Sequence, residues 1–371
     1  MIFIYVLAVV IGIPYMILIV SYLTGWKKIK IYNETAFQKQ TKVSVIIPVR
    51  NESVHIPDLI NALKNQEYPK ELLEVIVVDD HSTDTTREVI RLCTKDNSWI
   101  TMISGTTTGK KQALTKGIDQ SSGDLILTTD ADCRFGKSWI SSVVSFFENE
   151  NADMVIGPVV LNEGPRIFQD LQSLEFLSLT GSAGGSAGIK RPVLCNGANL
   201  AYRRDILTKI PDKLKPAHAS GDDIFLLHEL KRGEDKKISY IKSEKAIVVS
   251  EPQPDPGSFW NQRKRWTSKS RIYHDPDSIT AATVVFLMNL LLLSTLLLSF
   301  VIPGMILLFL LLFAVKSITD FIFLATVAGF FRKKHLLRYF FLLQVLYFIY
   351  ASIIPFAGNF GKYSWKGRIY N

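Results

Sequence analysis

The chain has 371 residues, of which 47% are hydrophobic, and it carries a formal net charge of +9. This length is enough for one catalytic domain with membrane segments or for two ordinary domains. The basic residues lie beside apolar segments without a basic-aromatic nucleic-acid motif, which favours a membrane surface and argues against a nucleic-acid partner. The three cysteines are far apart and lack metal-ligand spacing, so neither a disulfide framework nor a zinc site is expected.

The first segment, residues 1–25, is predicted to be a membrane-spanning helix. Residues 1–23 form an apolar run of the length that a spanning helix needs. No basic residue precedes this run and no small-residue cleavage site ends it, so a removable signal peptide is not expected. The basic residues Lys27, Lys28 and Lys30 follow directly, and the positive-inside rule therefore places the next domain in the cytoplasm.

The middle of the chain, residues 42–272, alternates between strand and helix patterns. This alternation predicts an α/β domain with a mostly parallel, Rossmann-like sheet and helices on both faces. In such sheets, ligands bind at the carboxyl ends of the strands. The predicted strands are 43–47, 74–78, 99–103 and 124–128, and the predicted helices are 56–63, 85–93 and 111–120.

Polar clusters at 48–52, 79–84 and 130–132 follow three of these strands, so they are expected to meet at one edge of the sheet. Asp130 and Asp132 can hold a hard divalent cation, Mg²⁺ or Mn²⁺, which neutralises a diphosphate. An Asp-x-Asp pair alone is weak evidence, because solvated turns use aspartate freely. The convergence of three clusters is stronger evidence for a nucleotide site.

Three later stretches each have a plain structural interpretation. Residues 181–188 are rich in glycine and serine and lack a lysine-serine ending, which favours a flexible loop on the acceptor side over a phosphate loop. Asp222 and Asp223 begin an amphipathic helix, where acidic residues suit the helix dipole without any catalysis. The basic-aromatic stretch 263–266 suits a helix that rests on lipid headgroups.

The chain becomes apolar again over residues 279–357, which predicts about three more membrane helices before a basic tail, 358–371. A third crossing would place that tail on the side that the positive-inside rule disfavours. Two interpretations stay open: the last segment is re-entrant and broken near Pro355, or the tail is an exception. The three apolar segments are 279–301, 303–330 and 336–357, and the basic tail residues are Lys362, Lys366 and Arg368.

Lys316 and Asp320 lie one helical turn apart inside the second of these segments. Charges within a membrane often serve function. A pair at this spacing can also simply neutralise itself. Both interpretations stay open at this point.

Taken in order, several motifs resemble the membrane-bound branch of family 2 glycosyltransferases, which have the GT-A fold. This branch carries a Q-x-x-R-W motif and includes cellulose, hyaluronan and poly-N-acetylglucosamine synthases and ceramide glucosyltransferase. The resemblance covers roughly residues 42–270. The matching stretches are 43–52 (VSVIIPVRNE), 77–84 (VVDDHSTD), 109–114 (GKKQAL), 130–132 (DAD), 221–223 (GDD) and 262–266 (QRKRW).

The resemblance implies a role for each matching residue on the donor side. Pro48, Arg50 and Glu52 are expected to line the nucleotide pocket. Asp80, with Asp79 beside it, is expected to recognise the base or ribose. In the rest of the donor site, Lys110 is expected near the diphosphate, Asp130 on the donor, and Asp132, together with Asp130, on a Mg²⁺ or Mn²⁺ ion.

The resemblance also implies the catalytic and acceptor groups. Asp223, with Asp222 beside it, is expected to deprotonate the acceptor hydroxyl as that hydroxyl attacks the anomeric carbon, which inverts the configuration. Gln262, Arg265 and Trp266 are expected to close the site near the membrane, and Asn199 to lie on the acceptor side. The sequence departs from the family pattern at His81, where glycine is frequent, so the turn after Asp80 is expected to differ.

These expectations describe a multi-pass protein of the cell (inner) membrane with a cytoplasmic catalytic domain. It would transfer a sugar from a nucleotide-sugar, with UDP expected and GDP left open, to a lipid or glycan acceptor. The alternatives are a processive β-glycan synthase, which the Q-x-x-R-W motif favours, and a polyprenyl-phosphate sugar transferase, which generally lacks that motif. A further alternative, of a different functional class, is a non-catalytic membrane scaffold. The full set of acidic residues argues against it.

Overall fold

The computed structural model describes residues 2–34, 40–209, 222–233, 236–360, 363–365 and 368–370. Gly221 and the tail residues Lys362 and Lys366 lie outside these ranges. The strands are β1 Val43–Val49, β2 Leu73–Asp79, β3 Ile100–Ser104, β4 Leu125–Thr128, β5 Arg134–Phe135, β6 Met154–Ile156, β7 Val159–Leu161, β8 Leu200–Arg203, β9 Ile238–Tyr240, β10 Val248–Ser250, β11 Tyr363–Trp365 and β12 Arg368–Tyr370. The helices are α1 Ile2–Lys28, α2 Ile56–Lys64, α3 Thr86–Thr94, α4 Lys110–Gln120, α5 Trp139–Glu150, α6 Ile167–Gly188, α7 Arg204–Lys209, α8 Asp222–Arg232, α9 Pro256–Thr267, α10 Pro276–Ser299, α11 Met305–Phe330 and α12 Phe340–Phe360.

The central sheet has the strand order β3-β2-β1-β4-β8-β6-β9. Strand β1 pairs in parallel with β2 and β4, whereas β8 is antiparallel to both β4 and β6. The four predicted strands agree with β1 to β4 to within two residues at each end. The prediction of a mostly parallel α/β sheet is confirmed.

The carboxyl ends of the strands meet at one edge because the strands are buried and in register. In β1, every residue except Pro48 is buried, as expected for a parallel strand covered on both faces. Val49 lies opposite Asp79 in the pairing of β1 with β2, and Ile46 lies opposite Thr128 in the pairing with β4. The loops that follow these three strands therefore start side by side.

Four helices, α1, α10, α11 and the segment that contains α12, are long and apolar enough to cross a membrane. They agree with the four apolar segments predicted from the sequence. Helix α1 packs against α6, α10 and α11, so the first helix joins the later ones although more than 240 residues separate them. Large apolar side chains cover the outward faces of these helices, including Phe3, Leu307 and Phe341.

The glycine-rich stretch 181–188 is helical, so the prediction of a flexible loop there is wrong. It forms the C-terminal end of α6, which crosses the C-terminal end of α1 with the two helix backbones in close contact. A Cβ atom on Gly185 would lie 2.4 Å from the carbonyl oxygen of Tyr22, and one on Gly188 would lie 2.2 Å from that of Gly25. Small residues are needed here because they let two helix backbones approach closely.

Lys316 and Asp320 form the ion pair expected from their spacing, with 2.7 Å between Nζ and Oδ2. The pair is part of a larger buried network. Lys316 also donates to Gln344 of α12 at 2.8 Å, and Tyr15 of α1 donates to Asp320 at 2.7 Å. The network links three apolar helices and partners the charges within the bundle.

Candidate active site

A cavity of about 430 Å³ opens at the carboxyl ends of β1, β2 and β4 and is called the donor cavity below. It brings together side chains from both halves of the chain, which are more than 200 residues apart in sequence. The predicted site residues on its wall are Pro48, Arg50, Glu52, Asp80, Lys110, Asp130, Asp132, Asp223, Gln262, Arg265 and Trp266.

The turn after β2 is held by hydrogen bonds from Arg50 and Gly109. Arg50 donates from Nη1 to the carbonyl oxygens of Asp80 (2.9 Å) and His81 (3.0 Å). The buried Asp80 carboxylate accepts from the Gly109 N–H at 2.8 Å, which ties this turn to the start of α4. His81 has φ 55°, in the left-handed region that glycine favours, so histidine occupies a turn of the kind glycine makes.

Lys110, the first residue of α4, lies across the cavity from the Asp-x-Asp turn. Its Nζ is 2.5 Å from Oδ1 of Asp130. Burial would lower the pKa of Lys110, but the ion pair with Asp130 and the nearby charge of Asp223 outweigh it and raise the pKa above its ordinary value. Lys110 is therefore a positive charge beside the Asp-x-Asp turn.

Asp132 is half-buried beside other carboxylates. Burial raises its pKa first, and the charges of Asp130 and Glu52 raise it further. Its Oδ2 accepts a hydrogen bond from the Ser250 hydroxyl at 3.3 Å. A divalent cation at this position would offset the mutual repulsion of these acidic groups.

The acidic residues fit a cation that also binds the substrate. Carboxylate oxygens suit Mg²⁺ and Mn²⁺. Within the described part of the chain, no three His, Cys, Asp or Glu side chains come close enough to hold a metal by themselves. Asp130 and Asp132 could therefore supply two of the ligands, and substrate phosphates would complete the set, as is usual for Mg²⁺.

Asp223 lies near the start of α8, and the structure places it on the wall of the same cavity. Its Oδ2 accepts from the Gly197 N–H at 3.0 Å and its Oδ1 from the Ile224 N–H at 2.9 Å. Both bonds hold the carboxyl group in a fixed orientation. Helix α8 is amphipathic as predicted, since Ile224, Leu227 and Leu230 are buried.

Helix α9 carries Gln262, Arg265 and Trp266 to the side of the cavity nearest the apolar helices. The buried Arg263 anchors this helix through an ion pair with the buried Glu175 of α6. The Arg263 guanidinium also stacks 4.2 Å from the centre of the Trp266 ring. Arg263, which lies between the motif residues Gln262 and Arg265, therefore fixes the orientation of Trp266.

Two predicted site residues, Asp79 and Asn199, are not on the wall of the donor cavity, and the side chain of a third, Asp222, lies outside the described part of the structure. The buried Asp79 pairs with Arg87 at 2.6 Å. The Asn199 amide is buried, accepting from Trp139 Nε1 at 3.0 Å and donating to the carbonyl oxygens of Pro158 (2.9 Å) and Ala246 (2.8 Å). Asp222 is the first residue of α8, and the structure does not describe its side chain.

Several lining residues were missed by the sequence reasoning, among them Asn196 and Lys269. Asn196 reaches the cavity from the segment 195–199, where Asn199 was expected to do so. Lys269 lines the cavity one helical turn beyond Arg265, and only 8% of it is exposed. The i, i+4 spacing from Arg265 was a usable signal for Lys269.

Comparison with known proteins agrees with this geometry. Residues 44–210 match the model of "Glycosyl transferase family 2". The chain is 39% identical over 216 residues to glycosyltransferase AglE of Haloferax volcanii, covering 57% of this chain and 67% of AglE. It is 29% identical over 261 residues to the probable glycosyltransferase YdaM of Bacillus subtilis, covering 66% of this chain and 59% of YdaM.

The chain therefore belongs to glycosyltransferase family 2. It spans less than two thirds of the length of YdaM. Among solved structures, it resembles the mannosyltransferase PcManGT from Pyrobaculum calidifontis in complex with GDP-Man and Mn²⁺, with a TM-score of 0.58 and 17% identity. That match covers 95% of this chain and 99% of the other, so the shared fold includes the GT-A-like domain and most of the flanking apolar helices.

Proposed function

We propose that the protein transfers a sugar, with inversion, from a nucleotide-sugar to a lipid acceptor at the cytoplasmic face of a membrane. The observation that carries this proposal is the donor cavity, which gathers Asp80, Lys110, Asp132, Asp223 and Trp266 at the junction with the apolar helices. The Q-x-x-R-W residues on α9 support membership of the membrane-bound branch. Only the full set of these residues, and no single one of them, distinguishes a transferase from a nucleotide-binding scaffold.

The donor is expected to lie with its nucleotide at the β1 and β2 end. Arg50 orders the turn that carries Asp80, and a carboxylate there suits the hydrogen-bond donors of a base or ribose. Lys110 and Arg265 supply positive charge where the diphosphate gains negative charge as it leaves. A Mg²⁺ or Mn²⁺ ion held by Asp130 and Asp132 would neutralise the same diphosphate. PcManGT, which shares the fold, was solved with a nucleotide-sugar and Mn²⁺.

Asp223 is the proposed general base. An acceptor hydroxyl is a poor nucleophile, so a carboxylate positioned to take its proton speeds the attack on the anomeric carbon. The two backbone N–H groups that bind Asp223 hold its carboxyl group in place on the wall of the cavity. Trp266 offers a ring on which the acceptor or the sugar can stack.

The test uses purified protein in detergent with a panel of UDP- and GDP-sugars, Mn²⁺ or Mg²⁺, and membrane lipid extract. We expect turnover of one donor that EDTA abolishes and that Asp132→Asn loses. Asp223→Asn should lower transfer by about 10² to 10⁴, the usual contribution of a general base, while nucleotide binding persists. The control is Glu229→Gln, because Glu229 lies on the same helix but pairs at the surface with Arg232 at 2.6 Å.

The size of the product separates the two forms of this activity. One sugar per lipid supports the proposal, whereas a long polymer supports a processive synthase. If the protein neither binds nor turns over any nucleotide-sugar, or if Asp223→Asn transfers as fast as the unaltered protein, the proposal is wrong.

A further inference from the structure

Two further cavities lie between the donor cavity and the apolar helices. The first, of about 190 Å³, is called the neck, and it shares Asp223, Trp266 and Lys269 with the donor cavity. The second, of about 270 Å³, is called the membrane cavity, and it shares Leu179, Leu194 and Tyr273 with the neck. The proposed catalytic base therefore stands at the head of a series of cavities that ends inside the helix bundle.

The membrane cavity is enclosed by five helices. Its walls come from α1, α6, α10, α11 and α12, and four of these are apolar enough to cross a membrane. Much of the wall is formed by aliphatic side chains such as Leu18, Ile19, Ala281, Val285 and Leu343. Such a surface binds hydrocarbon favourably and offers few hydrogen-bonding groups to a sugar.

Several polar groups on this wall have partners within the protein. Asp320 accepts from Tyr15, Lys316 and Gln344 at 2.7 to 2.9 Å, and Glu175 pairs with the buried Arg263. The Ser278 hydroxyl lies 2.7 Å from Oδ2 of Asp275 and 3.0 Å from Nε2 of His228. Most of the wall is apolar, whereas a hydrophilic polymer chain would require polar groups along it.

The neck is also mostly apolar, and its polar side chains Asn196, Asp223 and Lys269 are shared with the donor cavity. Tyr273, which the neck shares with the membrane cavity, packs edge-on against His228 at 5.0 Å and Phe225 at 6.2 Å, both on the helix that carries Asp223. The series therefore passes from a polar donor cavity to two mostly apolar cavities, as an amphipathic lipid passes from its head group to its hydrocarbon chain.

We propose that the membrane cavity binds the hydrocarbon chain of the acceptor lipid, which places the reactive oxygen of its head group in the neck beside Asp223. This inference rests on the proposed function and names the acceptor as a lipid whose chain enters the helix bundle. The volume lies just below the range of about 300 to 1,000 Å³ that drug-sized ligands fill, so one segment of one chain occupies it. A hydroxyl lipid and a lipid phosphate share this chemistry.

The experiment narrows the cavity with Ala281→Phe in the full-length protein, using the donor found in the first assay. The matched control is Leu287→Phe, which adds an aromatic ring to the same helix at a residue 36% exposed and outside all three cavities. The acceptors are a polyprenyl phosphate and a diacylglycerol, each in a long-chain and a short-chain form. The lipid to which the sugar is transferred identifies the head group of the acceptor.

For the long-chain acceptor, Ala281→Phe should raise KM by about tenfold or more, as one misplaced hydrophobic group does in a binding pocket. The KM for the nucleotide-sugar should stay within about twofold. The increase in KM should be smaller for the short-chain acceptor, because its chain does not reach Ala281. A variant that is merely misfolded would lose activity with the long-chain and short-chain acceptors equally, and that result would overturn the proposal. An unchanged KM for the long-chain acceptor would overturn it as well.

A second measurement covers the case in which Ala281→Phe does not fold. A lipid with a mid-chain diazirine is crosslinked to the unaltered protein, and the labelled peptides are identified. Labelling of α10 around Ala281 that excess acceptor suppresses supports the proposal, whereas labelling that excess acceptor leaves unchanged overturns it. Absence of any donor turnover by the unaltered protein would overturn the proposed function itself and this inference with it.

Discussion

At the scale of single residues, the site depends on charges that partner each other across the donor cavity. Lys110 opens α4 and meets Asp130 of the turn after β4, so one ion pair joins the segments that follow β3 and β4, which β2 and β1 separate in the sheet. The same turn carries Asp132, whose raised pKa reflects burial and two nearby carboxylates. This arrangement places opposite charges where a diphosphate and a cation would lie together.

Replacing Lys110 by methionine should lower kcat by about 10²-fold, since a donor that stabilises developing charge is typically worth that much. The KM for the nucleotide-sugar should change less. Steady-state kinetics with the preferred donor measures both constants. The control is Lys116→Met, because Lys116 lies on the same helix but donates to the Ser104 carbonyl at 2.6 Å, outside the cavity. Equal effects of the two substitutions would contradict a role for Lys110 at the diphosphate.

At the scale of elements, the close crossing of α6 and α1 joins the catalytic domain to the apolar helices. The crossing requires glycine at the contact, since Gly185 and Gly188 approach the backbone of α1 directly. Trp26 of α1 packs beside it, edge-on to Tyr240 of the catalytic sheet at 5.8 Å. The first helix is therefore built into the catalytic domain, beyond its proposed role as an anchor.

Gly185→Ala should destabilise the protein by about 1 to 3 kcal/mol, because the added Cβ would overlap the Tyr22 carbonyl and force the helices apart. Thermal unfolding in detergent, followed by tryptophan fluorescence, measures the change. Gly136→Ala is the matched control, since nothing lies within 4 Å of a Cβ built there. A melting temperature equal to that of the control would show that the crossing relaxes at no cost.

At the scale of the whole molecule, the path of α12 bears on which side of the membrane the tail lies. Just before this helix, Arg338 pairs with Asp170 at 3.5 Å and His335 lies 2.7 Å from Glu163. Near its end, a Cβ on Gly358 would lie 3.0 Å from the Lys264 carbonyl of α9. Both ends of α12 therefore lie against the domain of residues 42–272, although 21 residues of helix extend about 30 Å, enough to cross a bilayer.

This path supports the re-entrant alternative for the last apolar segment. The helix continues through Pro355, however, without the break expected there. We therefore expect the basic tail on the same side as the catalytic domain, as the positive-inside rule prefers. Cysteines introduced at Ser364 and at Val301, in the turn between α10 and α11, are treated with a membrane-impermeant maleimide in intact cells. Val301→Cys should be labelled and Ser364→Cys should not until the cells are permeabilised. Labelling of Ser364→Cys in intact cells would show that α12 crosses.

The alternation of strands and helices, the polar clusters at 48–52, 79–84 and 130–132, and the four apolar segments were predictable from the sequence. Each depends on a local pattern: β-branched runs, helical spacing, acidic turns and apolar length. The convergence of the clusters followed from one rule of parallel sheets, that the carboxyl ends of neighbouring strands meet at one edge.

Other features were decided only by the tertiary structure, because they depend on contacts between distant segments. The glycines at 181–188 look like a loop until α1 lies across them, and Asn199 looks available until Trp139, Pro158 and Ala246 surround it. The membrane cavity is lined by five helices that are far apart in sequence and meet only in the folded chain. Sequence determined which residues can bind charge or enter lipid, whereas packing determined which of them face the same space.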